Sequence, residues 1–310
     1  MVLSTIRATE SRYEFMEKYP DEQAATNFFE QRRWGDYPQC PHCLSHNTAR
    51  VKNAKPMPHR CRDCRKHFSV RTGTAMERSK IPLHKWLMAI WMLHTARKSV
   101  SSIQMAKELG ISQQAAWFLQ HRIRESMIRQ GHPVSGTFEI DETYIGGRES
   151  NRHSKKKKRI GRGTAGKQPV LGFRDRHTST VRAYPIPNVR KHTLHTEIAK
   201  NVQDGSTIYT DELASYNSVK GVNRVSVQHN AGEYVRDDAH TNGIESFWAL
   251  LKRGYHGTNH WWSVKHIHRY VAEYTHRPNA GPGNTPDVLG STFDRMIGIR
   301  LTYRDLTSPI

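Results

Sequence analysis

The sequence predicts a mixed α/β domain preceded by two smaller N-terminal modules, and three observations carry that reading. Short apolar or β-branched runs, Thr137–Ile140, Val170–Phe173, Val181–Ile186, Thr207–Tyr209 and Val225–Val227, recur between turn residues. Ahead of them, apolar residues at three- and four-residue intervals mark amphipathic helices. Ahead of those lie two Cys-x-x-Cys pairs that use all four cysteines of the chain. At 310 residues the chain exceeds the usual single domain, so two or three modules are expected.

Charge speaks to partners rather than to fold. Lys and Arg number 48 against 28 Asp and Glu, a formal +20, which suits a polyanion. Nucleic acid, an anionic membrane surface or an acidic protein would each fit, so motifs must decide. The start, MVLSTIRATESRYEF, lacks a basic segment followed by an apolar one, and the most apolar run, Leu83 to Ala96, is interrupted by His84, Lys85 and His94. No membrane partner is expected, and the cytoplasm is the default compartment. There the cysteines stay reduced, which favours metal over disulfides.

Taken in order, Asp21 to Trp34 places Ala24, Ala25, Phe28 and Phe29 at helical spacing and reads as a packing helix. Cys40-Pro-His-Cys43 and Cys61-Arg-Asp-Cys64 follow, and the segment between them, Leu44 to Arg60, has the basic and β-compatible residues that suit a hairpin. Paired knuckles let four thiolates converge on one Zn²⁺ in a closed tetrahedron, so Cys40, Cys43, Cys61 and Cys64 are expected to hold a structural zinc in a ribbon, with His42, His46, His59 and His67 as spare candidates. Residues 21–78 form this module. Residues 79–132 read as helical: Ser79 and Pro82 open a helix carrying Trp86, Leu87, Ile90, Trp91 and Leu93. Next, Ile103, Ala106 and Leu109 mark one helical face, Gly110 makes a turn and Ser112 caps a second helix. That layout is a helix-turn-helix, with Ala116, Leu119 and Ile123 inward, His121, Arg122 and Arg124 elsewhere, and Gln113 and Gln114 as candidates for base contact.

The α/β domain is expected over 133–277, interrupted by a Lys-, Arg- and Gly-rich loop at 148–168 in which Lys155 to Arg159 is suited to phosphates. The remainder, 278–310, is a tail to which the sequence assigns only packing or partner contact. Within the domain, Asp141 follows one apolar run and Asp211 follows a later one, and both read as strand ends. Glu245 lies near the start of a helix, with room between it and Asp211 for one further strand, Val225–Val227, and a connection. Lys252 lies about two helical turns beyond Glu245 and so shares its face. Phosphodiester chemistry needs hard cations held by oxygen, typically two Mg²⁺ about 4 Å apart that activate the attacking oxygen and stabilise the leaving one. Asp141 would bridge both, Asp211 and Glu245 would each hold one, and Lys252 would contact a phosphate. Glu142 and Glu212 are turned to the opposite face by pleat alternation. Asp237, Asp238 and the amide of Asn242 are alternative third ligands, and Glu245 is preferred because Lys252 accompanies it. Gly146 and Gly147 suit a turn or a close approach of backbone to DNA. Trp248, Trp261 and Trp262 are candidates for base stacking, with core packing preferred for Trp248, whereas His256, His260, His266 and His268 lack the spacing of a zinc motif.

CPHC with CRDC, IDETYIGG, YTDELASY and HTNGIESFWALLKRG, in this order, resemble the bacterial insertion-sequence transposases that carry an N-terminal zinc ribbon ahead of a DDE-type domain. The resemblance covers roughly Glu22 to Arg277. It implies a ribonuclease-H-like catalytic fold, a mixed sheet flanked by helices, with Asp141, Asp211 and Glu245 as the triad and Lys252 as basic partner. It also implies binding of terminal inverted repeats and of target double-stranded DNA, Mg²⁺-dependent cleavage and strand transfer (Mn²⁺ being an alternative ion), and a homodimer or larger synaptic complex. Some relatives carry Asn as third catalytic residue, which keeps Asn242 in play. A non-enzymatic DNA-binding regulator, or a nuclease that cuts without joining, are the competing readings.

Overall fold

The structure, a computed structural model, describes residues 10–128, 131–147, 164, 166–227, 240–280 and 284–308. Lys155–Arg159, Asp237 and Asp238 lie outside the described residues. The chain divides into two compact units, Met1–Met127 with Pro282–Ile310, and Ile128–Gly281.

The first unit is built around α3 (Leu83–Thr95), which buries Trp86, Leu87, Ala89, Ile90 and Leu93 and so is apolar on most of its circumference, as a central helix must be. α1 (Arg12–Lys18) and α2 (Glu22–Trp34) precede it. The free N–H groups at the start of α3 are not capped by its own Ser79. Glu22 of α2 accepts them, from Leu83 at 2.8 Å and His84 at 2.9 Å, a carboxylate at a helix N-terminus. Ser79 instead accepts the Trp86 indole N–H at 3.1 Å.

Between α2 and α3, three short antiparallel strands, β1 (Thr48–Arg50), β2 (His59–Cys61) and β3 (His67–Phe68), form the ribbon. Its core is Cys40, Cys61 and Phe68, closed by Trp34 from the end of α2. His59 stacks on Phe68 and its Nε2 lies 3.0 Å from Glu30, so this spare candidate is occupied by a carboxylate.

α4 (Ser102–Leu109), a left-handed Gly110 (φ 58°, ψ 49°) and α5 (Gln113–Ser126), capped by Ser112, make the helix-turn-helix. Two details of the sequence reading are corrected. Ile103 is 59% exposed, the inward face of α4 being Met105, Ala106 and Leu109. His121, Arg122 and Arg124 are buried, because α5 is packed on several sides: Arg122 lies over the Trp86 and Phe118 rings and donates to the Glu77 carbonyl. The start of α5 is open, and there Gln113 donates to Ser102 Oγ and Gln114 to the Tyr303 hydroxyl.

The tail supplies part of this core. α9 (Thr285–Met296) is capped by Asn284 with Pro286 in its first turn, and buries Leu289, Phe293 and Met296. Phe293 meets Phe29 at 4.8 Å between ring centres, and His94 Nε2 lies 2.7 Å from Thr292 Oγ1. α10 (Tyr303–Thr307) follows, with Thr302 and Asp305 forming a capping box.

The second unit is a five-stranded mixed sheet. β4 (Thr137–Ile145) is central and pairs antiparallel with β5 (Gln168–Asp175), which pairs antiparallel with β6 (Val181–Pro185). On the other side β4 pairs parallel with β7 (Thr207–Thr210), and β7 with β8 (Asn223–Ser226). In chain order the sheet therefore runs third, second, first, fourth, fifth, with only the second strand reversed against its neighbours, which is the ribonuclease-H-like arrangement. Pleat alternation sends Phe138 and Ile140 of β4 to one face, against Leu194 and Ile198 of α6 (Lys191–Asn201). Ile145 goes to the other face, under α7 (Asn242–Gly254) and α8 (Ile267–Asn279), with Ile244, Phe247, Trp248, Leu251 and Tyr274. No helix among the described residues is long and apolar enough to cross a membrane.

Candidate active site

Asp141 lies within β4 rather than at its end, since the strand continues to Ile145. What ends there is its parallel neighbour. β4 and β7 are in register at Glu139 opposite Tyr209, so two residues further along each chain Asp141 is level with Asp211, just past the end of β7. Asp141 follows the pleat to the α7 face, and the charge of Asp211 acts on it from the turn after β7. Asp211 is fixed by its own turn: Leu213 N–H donates to its Oδ1 at 3.1 Å, and Arg224 of β8 donates to its backbone carbonyl at 2.8 Å.

α7 brings the third acid. Trp248 Nε1 donates to Asp141 Oδ2 at 3.0 Å, and Glu245, one turn earlier, is exposed and receives the Thr241 hydroxyl at 2.9 Å. Burial, together with the charges of Asp211 and Glu245, raises the Asp141 carboxyl to about 6, against opposing hydrogen bonds from the Glu142 backbone and Trp248. Acids from the turn after β7 and from α7 therefore both act on Asp141 of β4. Asn242 opens α7 and is exposed, as is Lys252 two turns beyond Glu245. Glu212 is exposed. Glu142 points to the opposite face, as alternation requires, yet burial and the charges of Asp211 and Asp141 push its carboxyl up to about 7, while the Tyr216 hydroxyl donates to it at 2.7 Å.

The close approach of α7 to the sheet depends on two glycines. A Cβ at Gly172, which pairs with Asp141, would meet the Trp248 ring at 2.5 Å. A Cβ at Gly243 would run into Arg174 and into Glu139 Oε2. Glu139 is the residue that sequence reasoning passes over. It is fully buried on the same face as Asp141, accepts the Ile244 N–H in the first turn of α7 at 2.8 Å, and faces Arg174 at 3.5 Å, Arg176 at 3.4 Å and His240 Nδ1 at 3.5 Å. Its signal is an acid two residues before Asp141, a spacing that pleat alternation puts on the same side. Removing one partner of a buried charge cluster costs about 3–5 kcal/mol. Glu139→Ala should therefore lower stability by about that amount in urea unfolding, and Glu139→Gln, which keeps an acceptor for Ile244, by less. A Glu139→Ala protein as stable as the wild type would remove this anchor from the account.

In the ribbon, Cys40 Sγ lies 3.7 Å from Cys64 Sγ and Cys43 Sγ lies 3.6 Å from Cys61 Sγ. All four sulfurs fall within 4.8 Å of one another, the one set of possible ligands that close among the described residues. A tetrahedron with Zn–S bonds of about 2.3 Å has edges of about 3.8 Å, so the donor set fits that ion. Leu44 and Arg65, each following the second cysteine of its pair, both have φ near 60°, which curls each knuckle back on its sulfurs.

Residues 133–279 match the family described as the ISXO2-like transposase domain, and residues 20–67 match the transposase zinc-ribbon domain. The chain thus joins a transposase zinc ribbon to an ISXO2-like transposase domain. A Halobacterium salinarum protein, described as an uncharacterized protein in transposable element ISH50, is 29% identical over 247 residues, spanning 76% of this chain and 83% of that one. Among solved structures, the catalytic core domain of BIV integrase superposes with a TM-score of 0.29 at 12% identity, over 45% of this chain and 82% of that one. A simian T-cell lymphotropic virus intasome in complex with PP2A regulatory subunit B56 gamma gives 0.27 at 16% identity, over 59% and 64%. Likeness that low carries no weight, and the ribonuclease-H-like assignment of this transposase rests on its strand order and directions.

Proposed function

We propose that this transposase binds the terminal inverted repeats of an insertion sequence and cuts and joins DNA with Asp141, Asp211 and Glu245. It is supported by the meeting of α7 with β4, where Trp248 bonds Asp141 and the charges of Asp211 and Glu245 act on that same carboxyl. Such a set binds a dication favourably, because the cation relieves both the repulsion and the desolvation. Asp141 would hold two Mg²⁺, with Asp211 and Glu245 holding one each and Asn242 as the alternative third donor; Mn²⁺ suits the same oxygens. When bound, the pair would supply activation of the attacking oxygen and charge stabilisation of the leaving one.

The chain's own residues do the positioning. Trp248 fixes the Asp141 carboxylate, Thr241 holds that of Glu245, and the Glu139 anchor keeps the first turn of α7 on the sheet. Lys252 contacts a phosphate of the strand. Water frees a 3′-hydroxyl at the element's end, and that hydroxyl then attacks the target phosphodiester in line, so one site serves both steps. One Zn²⁺ on Cys40, Cys43, Cys61 and Cys64 would make the ribbon rigid. Gln113 and Gln114, at the open start of α5, would exchange their bonds to Ser102 and Tyr303 for base edges. Pairing two ends calls for two copies or more.

The test is joining. Purified protein, Mg²⁺ and a duplex carrying the element's end should give a product in which its 3′ end is covalently linked to a second duplex. Binding without either cleavage or joining would leave a DNA-binding regulator, and cleavage without joining would leave a nuclease.

A further inference from the structure

In the first unit the tail and α5 enclose a cavity of about 280 Å³. Glu77 and Arg78 from the turns ahead of α3, Phe118 and Arg122 of α5, and Arg300 and Tyr303 of the tail line it. Three guanidinium groups thus share the cavity with one carboxylate, and that carboxylate, Glu77, accepts the Gly73 N–H at 2.9 Å and lies 3.8 Å from Arg78 Nε. Arg122 is only 6% exposed, with its guanidinium over the Trp86 and Phe118 rings. One terminal nitrogen donates to the Glu77 carbonyl, but the buried Nε–H meets no acceptor among the described residues. Burial, with the charge of Arg71 nearby, brings this guanidinium down to about 10, against the pull of Glu77. A buried cation short of acceptors costs the fold stability, and an anion brought to it offsets that cost. Arg78 and Arg300 are exposed, and Arg78 stands on a left-handed backbone (φ 57°) that few residues other than glycine adopt. The cavity is also tied to a residue proposed to read bases. The Tyr303 hydroxyl accepts the Gln114 amide N–H at 2.6 Å, and its ring packs edge-on to Phe118 at 5.7 Å. Gln114, Phe118 and Arg122 follow at every fourth position of α5 and so share a face.

We propose that this cavity seats one backbone phosphate of duplex DNA, gripped by Arg78, Arg122 and Arg300, so that the tail forms part of the surface that holds the element's end. The proposal rests on the reading of Gln114 as a base contact and adds what fixes the register of that contact. Guanidinium forks match the paired oxygens of a phosphate. The volume lies just below the range of about 300–1,000 Å³ for sites that enclose a small molecule, which suits one charged group entering from a larger ligand. From Gln114 to Phe118 is about 6 Å along the helix, and a DNA strand advances about 3.4 Å per nucleotide. A strand running along α5 from a base at Gln114 therefore has a phosphate level with the cavity within about two nucleotides. Such a contact positions the helix and leaves the reading of sequence to Gln114.

The test is binding of the full chain, with no Mg²⁺ added, to a duplex carrying the element's end, each phosphate being replaced in turn by a neutral methylphosphonate. One replacement should weaken binding by the wild-type protein about tenfold and cost nothing further in the combined variant Arg78→Gly, Arg300→Gln. Glycine suits the positive φ at 78 and both side chains are exposed, so the variant should melt with the wild type. On the unmodified duplex the variant should bind about tenfold more weakly, flatten the slope of log K against log salt by about 0.9 for the one phosphate lost, and keep its preference for the end over a random duplex. Gln114→Ala should instead lose that preference. Methylphosphonate losses that are the same in the wild type and the combined variant would overturn the seat. Inorganic phosphate that raises the Tm of the wild type but not of the variant, with no methylphosphonate telling the two apart, would make the cavity a site for a free anion and overturn it as well. An unchanged preference in Gln114→Ala bears on the reading of α5 alone, since a methylphosphonate loss confined to the wild type still supports a phosphate held by Arg78 and Arg300.

Discussion

Asp141→Asn should abolish both cleavage and strand transfer, by at least about a hundredfold to a thousandfold, while the protein still folds and still binds the element's ends. The amide keeps the size of the side chain and an acceptor for the Trp248 indole N–H, 3.0 Å from Oδ2 in the wild type, so α7 stays on the sheet. What goes is charge at the residue proposed to hold both cations. The metal-free protein supplies its own control. The Asp141 carboxyl is raised from 3.8 to about 6, so the folded state binds the proton more tightly than the unfolded one, and this contribution to stability is lost as pH rises through about 6. Above that pH, in EDTA, Asp141→Asn should melt no lower than the wild type. A variant that is inactive because it is unfolded is thereby told apart from one that is inactive because its charge is gone. Normal joining by Asp141→Asn in Mg²⁺ would end the mechanism, since no other acid on β4 is level with Asp211.

The same assay sorts the neighbours. Asp211→Asn and Glu245→Gln should match Asp141→Asn, and Glu212→Gln should stay active because Glu212 is not among the charges that raise the Asp141 carboxyl. Activity that survives Glu245→Gln but not Asn242→Ala would transfer the third ligand to Asn242. Lys252→Ala should leave a partial defect, because Arg253 beside it is also exposed and can carry part of the phosphate contact.

The reach of the sequence can be followed through particular residues. The strands, the helix-turn-helix and the paired cysteines are legible because each is a local pattern, of period two, period 3.6 or fixed ligand spacing. The placement of Asp141 is half legible: it does follow an apolar run, but β4 continues past it, and its height is set by β7, a partner strand distant in the sequence. His121, Arg122 and Arg124 mislead for a related reason. Polar type suggests exposure, and only the tertiary packing of α5 shows that these residues are buried. Glu139 and Glu142 need the third dimension most, since the value of either depends on what α7 and Tyr216 present to it. The tail carries a local signal of its own: Asn284 and Pro286 open a helix, and Leu289, Phe293 and Met296 repeat at helical spacing.

Removing the zinc should have an effect of similar size on the other unit. The ribbon's strands are only two or three residues long, and its core amounts to Cys40, Cys61 and Phe68 closed by Trp34. So little apolar surface cannot hold a fold by itself, and in small zinc modules the ion contributes about 10–16 kcal/mol of apparent binding energy. Freshly purified, reduced protein should contain one Zn²⁺ per chain. Cys40→Ser or Cys64→Ser should release it, and the 36–68 segment should then become sensitive to protease. The His59–Glu30 contact at 3.0 Å and the Phe68 stack should be lost with it, because His59 and Phe68 sit on the ribbon's short strands. Binding to the element's ends should fall, whereas Mg²⁺ added in excess should restore nothing, since a hard cation has no preference for four thiolates. Elemental analysis that found no zinc in reduced protein whose ribbon still resisted protease would show that the four sulfurs, close as they are, hold the fold without an ion.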